Sequence, residues 1–145
     1  MDWRKVAIEE LRMYEWQKRS LENMNEKIKA LEYQSTAIKS YTTDSTPVQG
    51  GGNRMQQALD DIIVERDYLE LTREATKIKV RLVENALKCL DKREQRVLEL
   101  FYMRRPSRHI DQLTEEFEIE KTRVYEMKDQ ALRKYTAIMH GLQEY

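Results

Sequence analysis

Side chains with reactive groups are scattered along this sequence, so the question is whether any stand at a spacing that makes a site. The neighbouring acids Asp60-Asp61 and Glu115-Glu116 would do acid–base work only inside a pocket that shifts their ionisation, and both pairs fall on polar helix faces. His109 and His140 lie far apart, with no Cys or acidic partner at ligand spacing, so no metal is expected. No Gly-x-Ser-x-Gly, no Ser/His/Asp order and no Cys/His pairing is present, so neither an enzyme nor a cofactor is expected. The chemistry that remains is hydrogen bonding and charge on one helix face. At 100° per residue Thr122, Tyr125, Glu126, Asp129 and Arg133 share a polar arc, with Lys121 and Arg123 on its lower turn.

That arc belongs to the stretch Ile119 to Tyr135, IEKTRVYEMKDQALRKY. Val124, Met127, Ala131 and Tyr135 form its apolar arc, with Leu132 at the edge. Just upstream, Ile110, Leu113 and Phe117 mark a shorter amphipathic helix, separated from the first by Glu118-Ile119-Glu120. Two helices joined by so short a turn must cross steeply, which is the helix-turn-helix arrangement.

The run from Leu90 to Tyr135 resembles region four of bacterial sigma factors, the DNA-binding C-terminal part. An "RExxVLxLxY" helix is matched by Arg93-Glu94, Val97-Leu98, Leu100 and Tyr102, and the following helix pair by Leu113, Phe117, Ile119, Val124, Ala131-Leu132 and Lys134-Tyr135. Glu118 replaces the usual turn Gly, Thr114 the usual small Ala, and Glu120 the usual capping Ser. A Glu at a turn that needs positive φ is strained. The order of parts is also similar to small phage-encoded sigma-like late transcription regulators of the ArpU and RinA type. The resemblance implies that the first turns of the last helix enter the major groove, with Lys121, Thr122, Tyr125 and Glu126 facing bases. Lys121 would donate to guanine O6 and N7, Glu126 accept from cytosine N4, and Thr122 use its methyl or hydroxyl. Arg93, Arg96, Arg104, Arg105, Arg108, Arg123, Lys128 and Arg133 would then serve the DNA backbone, fixing position without reading sequence.

The rest of the chain must position that unit. Its 145 residues are 36% charged and 40% hydrophobic, which suits long solvated helices better than one large core. Basic and acidic residues balance at 26 each, so any nucleic-acid face must be local. The charge is indeed uneven: His109 to Glu120 holds five acids and no Lys or Arg, whereas Lys121 to Tyr135 holds five basic and two acidic residues. Cys89, the one cysteine, excludes an internal disulfide, reads as a small packing residue and fits a reducing cytoplasm. No stretch approaches the ~20 apolar residues of a membrane span, so no membrane partner is expected.

The spacing predicts an all-α chain. Ala7, Leu11 and Tyr14, then after a register shift Leu21, Met24, Ile28, Leu31, Ser35 and Ile38, stripe a helix from Trp3 to about Tyr41. TTDSTPVQGGGN, residues 42–53, reads as a flexible linker; its triple Gly lacks the Lys-Ser/Thr of a phosphate cradle. From Arg54 to about Leu90, positions 55, 59, 62, 66, 69, 73, 76, 80, 83, 87 and 90 keep strict heptad spacing, interrupted by Arg66, Arg73 and Thr76. Two helices of similar length, each about 55 Å, favour an antiparallel hairpin, or an equivalent pairing with a second chain. Asp91 and Glu94 form a capping box that starts a new helix, ended near Arg104 by Pro106, and Ser107 can cap the next. Trp3 and Trp16 read as packing residues. The expected division is thus residues 1–90, a coiled-coil hairpin, and 91–145, a helix-turn-helix domain.

The function expected is sequence-specific DNA binding in transcription regulation, with double-stranded DNA as partner, RNA polymerase as a second, and a homo-oligomer formed through the coiled coil. No counterpart of the promoter-melting region of sigma factors is visible, so promoter opening by this chain alone is not expected. The alternatives are a coiled-coil assembly protein and a packaging adaptor of the small-terminase kind.

Overall fold

The structure, a computed structural model, describes the backbone of residues 1–44 and 51–142 and the side chains of residues 1–41 and 54–142. The chain is all-α. Among the described residues there are five α-helices and no strand: α1 (Trp3–Asp44), α2 (Gly51–Lys88), α3 (Lys92–Leu98), α4 (His109–Phe117) and α5 (Lys121–His140). A π-helical turn, Glu99–Met103, continues α3. No described helix is long and apolar enough to cross a membrane.

The long helices run further into the expected linker than its composition suggests. Thr42 to Asp44 are helical at one end and Gly51 to Asn53 at the other. Adding a residue to an existing helix costs far less than nucleating one, so an established helix overruns poor formers. The rest of the linker, residues 45–50, lies outside the described residues.

Packing divides the chain into two units, Met1–Gln17 with Lys79–Tyr145, and Lys18–Ile78. The expected boundary after residue 90 falls at the break between α2 and α3. In the Lys18–Ile78 unit, Met24, Ile28, Leu31 and Ser35 of α1 are buried. On α2 every heptad position from Met55 to Thr76 is at least half-buried, including the interrupting polar residues. Arg73 Nη1 donates to Asn25 Oδ1 of α1 at 3.0 Å, and Thr76 Oγ1 donates to the Thr72 carbonyl at 2.8 Å. Polar seam residues are tolerated where such partners exist.

In the other unit, Ala7, Leu11 and Tyr14 of α1 and Val80, Val83, Ala86 and Leu90 of the α2 end are buried. A core of Val97, Leu100, Phe101, Leu113 and Val124 takes in Tyr102, Ile110, Phe117, Ile119 and Met127 at its margin. α2 stops in a tightened turn in which Cys89 and Leu90 donate to the carbonyls of Ala86 and Leu87. That tightening leaves Cys89 exposed, its thiol 3.4 Å from the Asn85 carbonyl, so it is not the packing residue its type suggested. Trp3 stacks on His140 with ring centroids 4.7 Å apart, whereas Trp16 is 66% exposed and contributes no buried seam position.

The capping box forms as the sequence indicates. The Glu94 amide donates to Asp91 Oδ1 at 2.8 Å, and the Asp91 amide donates to Glu94 Oε1 at 3.2 Å. The Glu94 amide's donation is the chief cause that holds the Asp91 carboxyl below its ordinary range. The π turn after α3 closes with the Arg104 amide donating to the Glu99 carbonyl at 2.8 Å. It inserts one residue into the helical register, and Val97, Leu98, Leu100 and Phe101 are all buried. Ser107 does not cap α4: Arg108 occupies the N-cap position, without a side-chain cap bond.

Candidate nucleic-acid interface

Between α4 and α5 the turn is built on Glu118, whose φ of 55° and ψ of 46° are left-handed. It is the one non-glycine residue with positive φ among those described. The Ile119 amide donates back to the Thr114 carbonyl at 3.3 Å, closing the turn. α5 then starts at Lys121 with Glu120 as N-cap, and the Glu120 side chain makes no cap bond. The first turn thus keeps amide donors that its cap side chain does not satisfy.

Burial fixes the rotation of α5. Val124, Ala131, Leu132, Tyr135 and Thr136 are buried at 1% exposure or less, so the opposite arc must face outward. Lys121, Thr122, Tyr125 and Glu126, the four base-facing candidates, are all exposed, together with Arg123, Asp129 and Arg133. Tyr125 is 42% exposed because one edge of its ring meets Phe101, with centroids 6.0 Å apart.

The cations expected to serve the backbone divide into those open to a partner and those already engaged. Arg93 is exposed, its guanidinium 5.3 Å from the Phe117 ring centroid. Arg105 is exposed and its Nε donates to His109 Nδ1 at 3.4 Å. Arg96 is bound by two carboxylates, Glu116 at 3.0 Å and Glu99 at 3.3 Å, and its ionisation is raised chiefly by the Glu116 hydrogen bond. Arg104 is held by Glu15 of α1 at 2.9 Å, which raises its ionisation likewise. Arg108 pairs with Asp111 at 3.0 Å and Arg123 with Glu126 at 3.2 Å. Lys128 is turned inward: its side chain is 16% exposed, 2.8 Å from Asp129, with its ammonium 5.7 Å from the Phe101 ring centroid.

The acids on the arc are therefore neutralised where they stand. Asp129 accepts from Lys128 and, at 2.8 Å, from Arg4 of α1, and Lys128 first holds its carboxyl below the usual range. Arg4 and Glu15 were not legible as members of this surface, since they meet Asp129 and Arg104 from 125 and 89 residues away in sequence. α1 is anchored here too: Tyr135, fully buried, directs its hydroxyl to Glu10 at 3.4 Å, and His140 contacts the same carboxylate. Burial first, then the Glu10 charge, pushes the Tyr135 phenol well above its ordinary range, so it stays protonated and donates.

The acid pairs show no pairing with each other. Asp60 and Asp61 accept from Gln56 and Gln57, each at 2.9 Å, one turn earlier on α2, while Glu116 belongs to Arg96. As a whole the arc can donate from Lys121 and Thr122, accept at Glu126, and meet an anion with its flanking arginines. No protein-family model, no curated protein and no solved structure matches this chain.

Proposed function

We propose that this chain is a sequence-specific DNA-binding transcription regulator, of the sigma-like kind that the Leu90–Tyr135 run resembles, with α4, its turn and α5 acting as a helix-turn-helix. The observation that carries this reading is the joint exposure of Lys121, Thr122, Tyr125 and Glu126 on the first turns of α5. In the proposed complex these turns lie in the major groove, where Lys121 donates to a guanine edge and Glu126, released from Arg123, accepts from cytosine. Arg93, Arg105 and Arg133 flank the phosphates, and RNA polymerase is the proposed protein partner. The proposal includes antiparallel pairing of α1 and α2, in which the Arg73–Asn25 hydrogen bond is a contact between the two helices.

Selection of bound duplexes from a random pool tests the reading directly. One enriched motif is expected, and Lys121→Ala is expected to weaken binding to it by about 1–3 kcal/mol and to relax one base position. Failure to retain any duplex at low salt refutes the proposal, and equal loss on every sequence reduces Lys121 to a phosphate contact.

A further inference from the structure

α2 carries a second apolar stripe, apart from its half-buried heptad seam. Val64, Tyr68, Leu71, Ala75 and Ile78 follow one another at alternating spacings of four and three, and all are exposed. Val64 is 69% exposed, Tyr68 65%, Leu71 74% and Ile78 55%. That half-buried seam runs through residues 62, 66, 69, 73 and 76. Two residues further along a helix is about 200° round it, so this stripe faces away from that seam. Alternation of four and three averages 3.5 residues, the repeat that lets one helix follow another in a left-handed supercoil. Five exposed apolar residues in that register are a seam without its partner helix among the described residues.

We propose that the partner is α2 of a second copy of this chain, lying parallel and in register along Val64–Ile78. Four observations fit that occupant. A second copy brings the same spacing, and Val64, Leu71 and Ile78 fall on the d positions, with Tyr68 and Ala75 on the a positions. In a parallel pair the g residues Asp67 and Glu74 face Thr72 and Lys79 of the other copy, so Glu74 of each copy meets an opposite charge, and the one like-charge pair, Asp60 with Glu65, falls at the start of the seam. The seam is bounded at its start, because the preceding core positions are the polar Gln57 and Asp61. The exposed side chains amount to roughly 500 Å² per copy, about 1,000 Å² for a pair, the lower limit for a specific interface. Glu65, Asp67 and Glu74 along its borders would repel an anionic lipid surface. This pairing does not depend on whether the chain binds DNA.

Sedimentation equilibrium of the full chain over a roughly hundredfold concentration range is the test. The wild type is expected to dimerise. Leu71→Glu, a change at an exposed position, is expected to raise the dimer dissociation constant at least about a hundredfold while keeping the same helical circular dichroism. Leu71→Gln repeats the test without a new charge, and Tyr33→Glu, on a 78% exposed residue of α1, is expected to leave the dimer intact. With Cys89→Ser as background, Ala75→Cys is expected to cross-link the two copies on oxidation, since parallel pairing sets this position against itself. A wild type that stays monomeric, a Leu71→Glu chain that still dimerises, equal dissociation by Tyr33→Glu, or an Ala75→Cys dimer that never cross-links each overturns the proposal.

Discussion

Replacing Glu118 by Gly should make the protein more stable, although a charged, exposed side chain in a three-residue turn looks like an innocuous position. At φ 55° the residue sits where its Cβ crowds the following carbonyl, at a cost of roughly 1–2 kcal/mol for an L-residue. Glycine removes that cost but loses about 0.5–1 kcal/mol through the greater freedom of its unfolded chain. Taking like ends of the two ranges, the net gain is about 0.5–1 kcal/mol, or roughly 1–4 °C in Tm for a chain of this size. Glu118 also stands in an acidic stretch with Glu115, Glu116 and Glu120, so losing its charge has an effect of its own. Glu118→Gln isolates that effect, because it removes the charge and keeps the Cβ. Urea unfolding followed by helical circular dichroism at pH 7 measures both variants. A Gly variant no more stable than the Gln variant would refute the conformational argument.

Two further outcomes follow from the same surface. Burial first and then the neighbouring Arg105 lower the His109 imidazole below its ordinary value of 6.5, so the folded chain keeps the ring neutral. The stability this group contributes is present above pH 6.5 and is lost as pH falls through the lowered folded value, because the unfolded chain takes up the proton first. His109→Phe, which keeps an aromatic edge against Phe101, should flatten that part of the pH–stability curve, and an unchanged curve would remove His109 from the account. If the chain binds DNA as proposed, Glu116→Gln releases Arg96 from its shorter carboxylate contact at 3.0 Å. A half-exposed pair of this kind is worth at most about 1 kcal/mol, so affinity should rise up to roughly fivefold. The dependence of log K on log salt should steepen by about 0.9, and identical salt slopes for both chains would show that Arg96 meets no phosphate.

Local order was legible wherever it is decided by neighbours in sequence. The stripes on α1 and α2, the Asp91–Glu94 box and the left-handed turn residue each depend on residues within a few positions, and those helices and turns form there. What escaped were side chains whose state depends on a distant helix or on the geometry of a join. Arg96 and Arg104 have the composition of phosphate ligands, but only folding reveals that Glu116 and Glu15 reach them. Cys89 departs from the burial its residue type favours because the tightened end of α2 turns it outward. Ser107 does not cap because α4 starts one residue later than its sequence suggests, which moves the cap to Arg108. The second stripe on α2 was present in the sequence, masked by the half-buried heptad that shares the same helix and spacing. Only exposure separates the two.

The way α1 is joined to α5 has a practical bearing on dissecting this protein. Arg4 on Asp129, Glu10 shared by Tyr135 and His140, and Trp3 on the His140 ring tie the first residues of the chain to its last helix. A fragment trimmed to start at Asp91 would keep the whole of α5 and discard what seats it, baring the phenol of Tyr135. A shortened form that keeps this unit must retain the first seventeen residues and the end of α2 from Lys79 onward, removing only the intervening helices and splicing the chain across the gap.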